Sequence, residues 1–355
     1  MASGTPFFAL DIGQSSIKLV QIDRKGSNSA RLKAIGSINF PNDLETVIPS
    51  KEEPEKLELM VSTLKTLIQS SGVKLKQVVT SMPESTIFTK LLPNLPLVDQ
   101  AKLEEMIYWE AKQVLPIPLE EAQVDWIEIE RKKNSDGTNA VSAMVIAAPR
   151  SMVEGYLELC HRAELELVAL EVESVAIARA FSFTYQGNQP LTMMIDFGAD
   201  TTNACVVYNG KVIFSQSIRN GSAMFTKAIS TDFGIQPSQA EQYKTAYGVL
   251  PNQADGGKIY NSIKPVLDVV VNELHKINGF VETRLQYGKP QQILLTGNGS
   301  MMPGLAQYIQ TALGVNTSIF DPMANLKLTG GLSNIKNEVV PAGYTVAIGL
   351  GLKQE

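Results

Sequence analysis

The chain has 355 residues, of which 44% are hydrophobic and 19% charged, and a formal net charge of −5. That length suits two domains of roughly 100–200 residues each, and the composition excludes global disorder. The acidic balance leaves no electrostatic footprint for nucleic acid, and the two cysteines and two histidines supply neither a disulfide framework nor metal-ligand spacing.

The N-terminus, Met1 to Phe8, lacks a basic stretch followed by an apolar one, and no apolar run approaches the ~20 residues of a membrane-spanning helix. The C-terminus, Gly349 to Glu355, is short and polar and reads as no amphipathic anchor. The expectation is a cytoplasmic protein without direct membrane insertion.

Phe7 to Asp11 reads as a buried strand and Ile17 to Asp23 as its hairpin partner, with a further strand near Leu32–Phe40. Pro54 to Ser70 has helical spacing, with Leu57, Met60, Val61, Leu64, Leu67 and Ile68 on one face. A short buried strand, Val78 to Met82, ends at Pro83. Thr86–Leu92 reads as a strand. Asp99 can cap a helix reaching about Leu115, where Pro116 and Pro118 stop it. Two strands, Val124–Arg131 and Ala140–Ala148, flank a polar loop at Asn134–Asn139, and Ser151 to Glu164 is amphipathic. Residues 84–165 thus read as a compact unit set into a larger domain. Thr192 to Ile218 holds three strands, the last two joined by Asn209-Gly210, a strong hairpin signal. Residues 222–288 are mostly helical, interrupted near Pro251–Gly257. Gln291–Leu295 is a buried strand leading into Gly297-Asn298-Gly299-Ser300, with a helix starting near Gly304.

One pattern occurs twice. Ala9-Leu10-Asp11-Ile12-Gly13-Gln14-Ser15-Ser16-Ile17-Lys18 matches Met194-Ile195-Asp196-Phe197-Gly198-Ala199-Asp200-Thr201-Thr202-Asn203. Each copy ends a strand and opens a hairpin, and internal repeats signal duplicated structural units. A lone Asp-x-Gly turn is usually an ordinary tight turn. Two matched copies suit phosphate, because Gly13 and Gly198 permit close approach and free backbone N–H groups. Hydroxyls of Ser15, Ser16, Thr201 and Thr202 add donors, and Lys18 adds a compact cation. Asp11 and Asp196 would repel phosphate directly, and become useful where hydrated Mg²⁺ lies between. The third glycine-rich element, Gly297 to Ser300, suits a nucleoside. It is neither a dinucleotide fingerprint nor a P-loop.

These three elements, in this order, resemble the actin/Hsp70/sugar-kinase superfamily. The resemblance implies an α/β, actin-like two-domain fold that clasps ATP between phosphate-1, phosphate-2 and adenosine motifs. Glu173 to Ala180 and Ala347 to Gly351 resemble its two connecting segments. The insertion at 84–165 resembles the 1C subdomain of the FtsA branch, a strand-helix-strand-strand unit. Leu103 to Ala111, Leu115 to Leu119 and Asp125-Trp126 resemble the PilM family within that branch. The implied division is 1–83 with 166–188 as 1A, 84–165 as 1C, 189–221 with 290–355 as 2A, and 222–289 as 2B.

The resemblance also implies roles for single residues. Asp11 and Asp196 match the Mg²⁺-associated aspartates. Gly13, Gln14, Ser15, Ser16 and Lys18 match the first phosphate loop, and Gly198, Asp200, Thr201 and Thr202 the second. Gly297, Asn298, Gly299 and Ser300 match the adenosine motif. Glu241 and Lys244 match residues that reach ribose and adenine, or else form a solvated helix face. Glu173 matches a glutamate that positions water for hydrolysis, or else caps or pairs at its helix. The implied function is an ATP-binding scaffold and switch of type IV pilus assembly, with slow or negligible hydrolysis. It would bind the cytoplasmic N-terminal peptide of PilN at the inner membrane. Motor ATPases, platform proteins or self-association would complete its contacts. The alternatives are an FtsA-like polymerising division protein and a small-molecule kinase, although no kinase-type catalytic aspartate stands out in the first domain.

Overall fold

In the computed structural model, residues 5–24, 26, 29–40, 53–133, 137–250 and 256–354 are described. The first hairpin forms as expected from β1 (Phe8–Ile12) and β2 (Ser16–Arg24), continued by β3 (Ala30–Asn39). β1 is buried along its whole length because strands flank it on both sides and helices cover both faces. α1 (Pro54–Ser70) starts with a proline, where an N–H would be idle, and buries Leu57, Met60, Val61, Leu64 and Leu67. β4 (Gln77–Met82) then lies parallel to β1.

The inserted unit is a three-stranded sheet of order β5-β7-β6, from β5 (Phe88–Pro96), β6 (Ala122–Lys133) and β7 (Asn139–Pro149). α2 (Gln100–Val114) covers one face, and the Asp99 carboxylate caps it by accepting from the Lys102 N–H at 3.1 Å. β5 begins later than the sequence suggests, because Glu84–Thr86 form a 3₁₀ turn. It also runs through Pro93 to Pro96, which an edge strand tolerates. The sheet's other face contributes Leu91, Ile129 and Met144 to the core of the second domain. α3 (Arg150–Arg162), expected to close this unit, instead sends Tyr156, Leu159 and Cys160 into the core beneath α1 and β1.

β8 (Glu166–Val172) was not anticipated. It pairs parallel with β4 and gives the first sheet the order β14-β3-β2-β1-β4-β8, with β14 being Leu326–Lys327. α4 (Glu173–Thr184) follows directly. The second sheet has the order β11-β10-β9-β12-β13. Its strands are β9 (Thr192–Phe197), β10 (Thr202–Tyr208), β11 (Lys211–Ile218), β12 (Gln292–Thr296) and β13 (Thr317–Ile319). Asn209 and Gly210 have φ of 48° and 75°, the paired positive values of a tight hairpin turn. Helices α5 (Ser222–Phe233), α6 (Pro237–Tyr247), α7 (Lys258–Thr283) and α8 (Leu305–Leu313) cover its outer face. The interruption expected near Pro251–Gly257 lies mostly outside the described residues, as does part of the loop at 134–139.

Two helices form the middle layer. α4 and α9 (Thr345–Gly351) pack with Ala9, Val20 and Val79 of the first sheet and with Met194, Cys205 and Leu294 of the second. They cross backbone against backbone: a methyl group on Gly349 would lie 1.9 Å from the Ala176 carbonyl oxygen. The whole is the expected two-domain α/β arrangement, with the insertion touching both halves.

Candidate functional site

The sequence repeat is a repeat of backbone geometry. The Gly13 N–H donates to the Ser16 carbonyl and the Gly198 N–H to the Thr201 carbonyl, each at 3.0 Å. In the strand pairings Asp11 stands opposite Lys18, and Asp196 opposite Asn203. The two turns face each other, since the Gln14 Oε1 accepts from the Asp200 N–H at 3.0 Å.

Between them lies a cavity of about 930 Å³. The first hairpin lines it with Asp11, Gly13, Gln14, Ser15, Ser16 and Lys18. Asp196, Gly198 and Thr201 line it from the second hairpin, Gly297, Asn298 and Gly299 from the third element, and Glu241 and Lys244 from α6. Three expected residues stand apart from the lining. Thr202 is fully buried and its hydroxyl donates to the Asn220 carbonyl at 2.6 Å. Ser300 is buried with its hydroxyl spent on the Gly297 carbonyl, also at 2.6 Å. Asp200 is not among the lining residues, and its N–H engages Gln14.

The acidic groups are buried under unequal constraints. Burial raises the Asp11 carboxyl above its ordinary range; Lys18, 3.8 Å away, opposes this and Asp196 adds to it. Burial likewise raises Asp196, against a 2.8 Å hydrogen bond from the Thr296 hydroxyl and the charge of Lys18. Glu173 is raised furthest, by burial first and then by repulsion from Asp11 and Asp196. Its Oε2 accepts from the Glu84 N–H at 3.1 Å and from the Asn203 Nδ2 at 3.0 Å. The pairing role expected as the alternative for Glu173 is therefore present, while the residue also lines the cavity. Among the described residues, no three His, Cys, Asp or Glu side chains converge to hold a metal ion directly.

At the far end the backbone approaches closely. Gly297 has φ of 80°, and a methyl group there would sit 2.7 Å from the Asp196 Oδ1. A methyl group on Gly343 would sit 1.9 Å from the Asn298 Oδ1. Lys244 is buried rather than on a solvated face. It donates to the Ser222 Oγ at 2.6 Å and the Thr226 Oγ1 at 3.0 Å, and pairs with Glu241 at 2.7 Å.

Sequence reasoning missed several lining residues: Asn203, Ser222, Thr226, Lys227 and Gly343. Asn203 had a signal, because the repeat sets it against Lys18. The others sit on helical or loop stretches whose pattern marks only burial.

A cleft between two α/β halves, entered by duplicated Asp-x-Gly hairpins and closed by a glycine-rich third element, defines an actin-like ATPase fold. MreB5 of Spiroplasma citri, in a structure bound to ADP, shares it at TM-score 0.51 and 13% identity, over 98% of this chain and 95% of that one. The family model of the type IV pilus assembly protein PilM matches residues 9–355, and the chain belongs to that family. A solved PilM-PilN type IV pilus biogenesis complex matches at TM-score 0.84 and 25% identity, covering 99% of this chain and all of that one. The cell division protein FtsA of Neisseria meningitidis serogroup B (strain ATCC BAA-335 / MC58) is 26% identical over 176 residues, 44% of this chain. The chain spans 41% of that relative's length. No helix among the described residues is long and apolar enough to cross a membrane.

Proposed function

We propose that this protein is an ATP-binding scaffold and switch of type IV pilus assembly that binds the cytoplasmic N-terminal peptide of PilN. The carrying observation is the likeness, over nearly the full length of both chains, to the PilM chain solved with PilN. Through such a peptide the protein would sit at the inner membrane and join it to motor ATPases or platform proteins. Residues 84–165 would serve as the 1C part of an FtsA-type subdomain plan.

The residues present fit ATP and Mg²⁺. The cavity falls within the ~300–1,000 Å³ typical of small-ligand sites. Two glycine turns bring backbone to opposite sides of it, and Lys18 and Lys227 supply positive charge. Asp11 and Asp196 would hold Mg²⁺ through its water, and that ion would offset phosphate charge. Gly297 and Gly343 let the chain pack closely at the nucleoside end, where Glu241 and Lys244 are already fixed to α5. Glu173, held by two hydrogen bonds, suits slow hydrolysis at most.

A second cavity, about 190 Å³, suits an apolar peptide anchor. Ile127, Ile129, Met144 and Ile146 of the insertion face Val175 and Arg179 of α4 across it. The test is calorimetry with a synthetic PilN N-terminal peptide, with and without Mg-ATP. Ile127→Glu is expected to weaken peptide binding at least about tenfold and leave nucleotide binding intact, since docking an apolar anchor would desolvate the carboxylate. Failure of the native protein to bind the peptide would overturn the scaffold reading. Unchanged affinity in Ile127→Glu would move the groove elsewhere.

A further inference from the structure

A circuit of polar contacts joins the cleft to the root of the insertion. On β11, Ser215 and Ser217 are two residues apart and so lie on one face of the strand. The Ser217 hydroxyl donates to the Asn203 Oδ1 at 2.7 Å. The Asn203 amide donates to Glu173, which also receives the Glu84 N–H. The Glu84 carboxylate in turn accepts from the Ser174 N–H at 3.3 Å, and the Ser215 side chain, back on β11, lies within polar reach of it. Ser215 also meets the Thr89 hydroxyl on β5 at 2.8 Å.

The circuit spans three bodies. Glu173 and Ser174 begin α4, Glu84 opens the insertion, and Asn203, Ser215 and Ser217 belong to the second sheet. Its two carboxylates are dry, Glu84 being 5% exposed and Glu173 9%, while Asn203, Ser215 and Ser217 are half-buried. Buried polar groups of this kind hold one geometry, because breaking any bond strands a desolvated partner. Glu173 lines the large cavity, whereas Glu84 and Ser215 do not. Chemistry at one side of Glu173 therefore has a fixed mechanical path to the other. Apolar packing runs beside it, since Leu91, Ile129 and Met144 share the second domain's core.

From this geometry we infer that the Ser215–Glu84–Glu173–Asn203 circuit is the joint that carries occupancy of the nucleotide cleft to the inserted sheet. The inference rests on the cleft binding nucleotide. A ligand drawing the hairpins together displaces Asn203 and Glu173, and Glu84 and Ser215 oblige β5 to follow. Lys211, which donates to the Glu128 carbonyl at 2.7 Å, and Tyr287, whose hydroxyl meets Glu130 at 2.9 Å, brace the insertion from its other side. The insertion then moves with the second domain rather than with the sheet from which it branches.

The experiment uses the full chain and two readouts. Titration with a fluorescent ATP analogue in Mg²⁺ reports binding, and hydrogen exchange reports protection of residues 84–96 and 211–218. In the native protein, Mg-ATP is expected to slow exchange in both segments. Ser215→Ala deletes one hydroxyl outside the cavity and removes the contacts of Ser215 with Glu84 and Thr89, leaving the Lys211 brace in place. It is expected to keep nucleotide affinity within about threefold while the nucleotide-dependent protection of 84–96 falls by at least half. Thr89→Val, which leaves Glu84 in place, is expected to give a smaller loss in the same direction. Undiminished protection of 84–96 in both variants would overturn the joint, as would native protein that binds nucleotide with no change in that segment. Absence of nucleotide binding in the native protein would instead overturn the cleft assignment on which the joint depends.

Discussion

Replacing Asp196 by Asn is expected to act in opposite directions on the free and the nucleotide-bound protein. In the free protein Asp196 is a buried carboxylate near Asp11 and Glu173; burial raises all three, and the charge of Asp196 raises Asp11 and Glu173 further. Asn keeps an acceptor for the Thr296 hydroxyl, 2.8 Å away, and removes one of the three repelling charges. Thermal stability without ligand should therefore rise. With Mg-ATP the same change removes an anchor for the hydrated cation. Losing such an outer-shell partner costs about 10–100-fold in affinity, or roughly 1.4–2.7 kcal/mol. At ligand concentrations about 100 times the native Kd, native protein gains about 2.7 kcal/mol, and a variant weakened about 30-fold gains only about 0.9 kcal/mol. The ligand-induced rise in Tm, at roughly 2–4 °C per kcal/mol, should shrink from about 5–10 °C to about 2–4 °C. The pH dependence has a definite sign. Acids raised on folding contribute stability that is complete below their unfolded range and is lost as pH rises through the folded values. These three groups should thus add stability as pH falls from neutral towards the ordinary carboxylate range, and Asp196→Asn should gain less. Differential scanning fluorimetry across pH, with and without Mg-ATP, measures both effects. An undiminished ligand shift in the variant, or a variant that gains as much as native protein over that acid range, would refute the reasoning.

Tyr156 is fully buried, and its hydroxyl has no hydrogen-bond partner among the described residues. Tyr156→Phe should therefore stabilise the protein by up to about 1–3 kcal/mol in denaturant titration, and a loss of that size would reveal a partner for the hydroxyl. Lys244→Met removes the donor that holds α6 to Ser222 and Thr226 and should weaken ATP binding by about tenfold or more, read by calorimetry, because charged hydrogen bonds contribute about 1.5–3 kcal/mol. Burial pushes the Cys160 thiol up to about 11, so at pH 8 both Cys160 and Cys205 should resist maleimide until the chain is unfolded. Steady-state ATP turnover should stay far below the ~10 per second of an ordinary enzyme, and a rate near that value would contradict the switch reading.

The duplicated hairpins were legible because the same residue types recur at the same spacing, and that spacing set the backbone bonds of Gly13 and Gly198. The faces of α1 and α2 were legible from helical periodicity. β8 was not, since Glu166-Leu167-Val168-Ala169 alternates weakly and only its pairing with β4 makes it a strand. The direction of a hydroxyl is not written in a motif either. Thr202 and Ser300 sit where the pattern asks for donors, yet nearby carbonyls claim both. The hold of Glu173 on Glu84 joins residues 89 positions apart, which no local pattern encodes.

The contact of Gly349 with Ala176 has a consequence for anyone wishing to watch this molecule work. At that crossing the α4 and α9 backbones touch with no side chain between them, which makes it the natural pivot between the two halves. A bearing of this kind turns without travelling. A pair of distance probes placed on either side of it should report almost no change as the cleft opens and shuts. Probes at the rim, on α1 and α7 for example, should move as the two ends of a lever. The ratio of the two signals would measure the angle of closure itself, free of any shift of one half along the other.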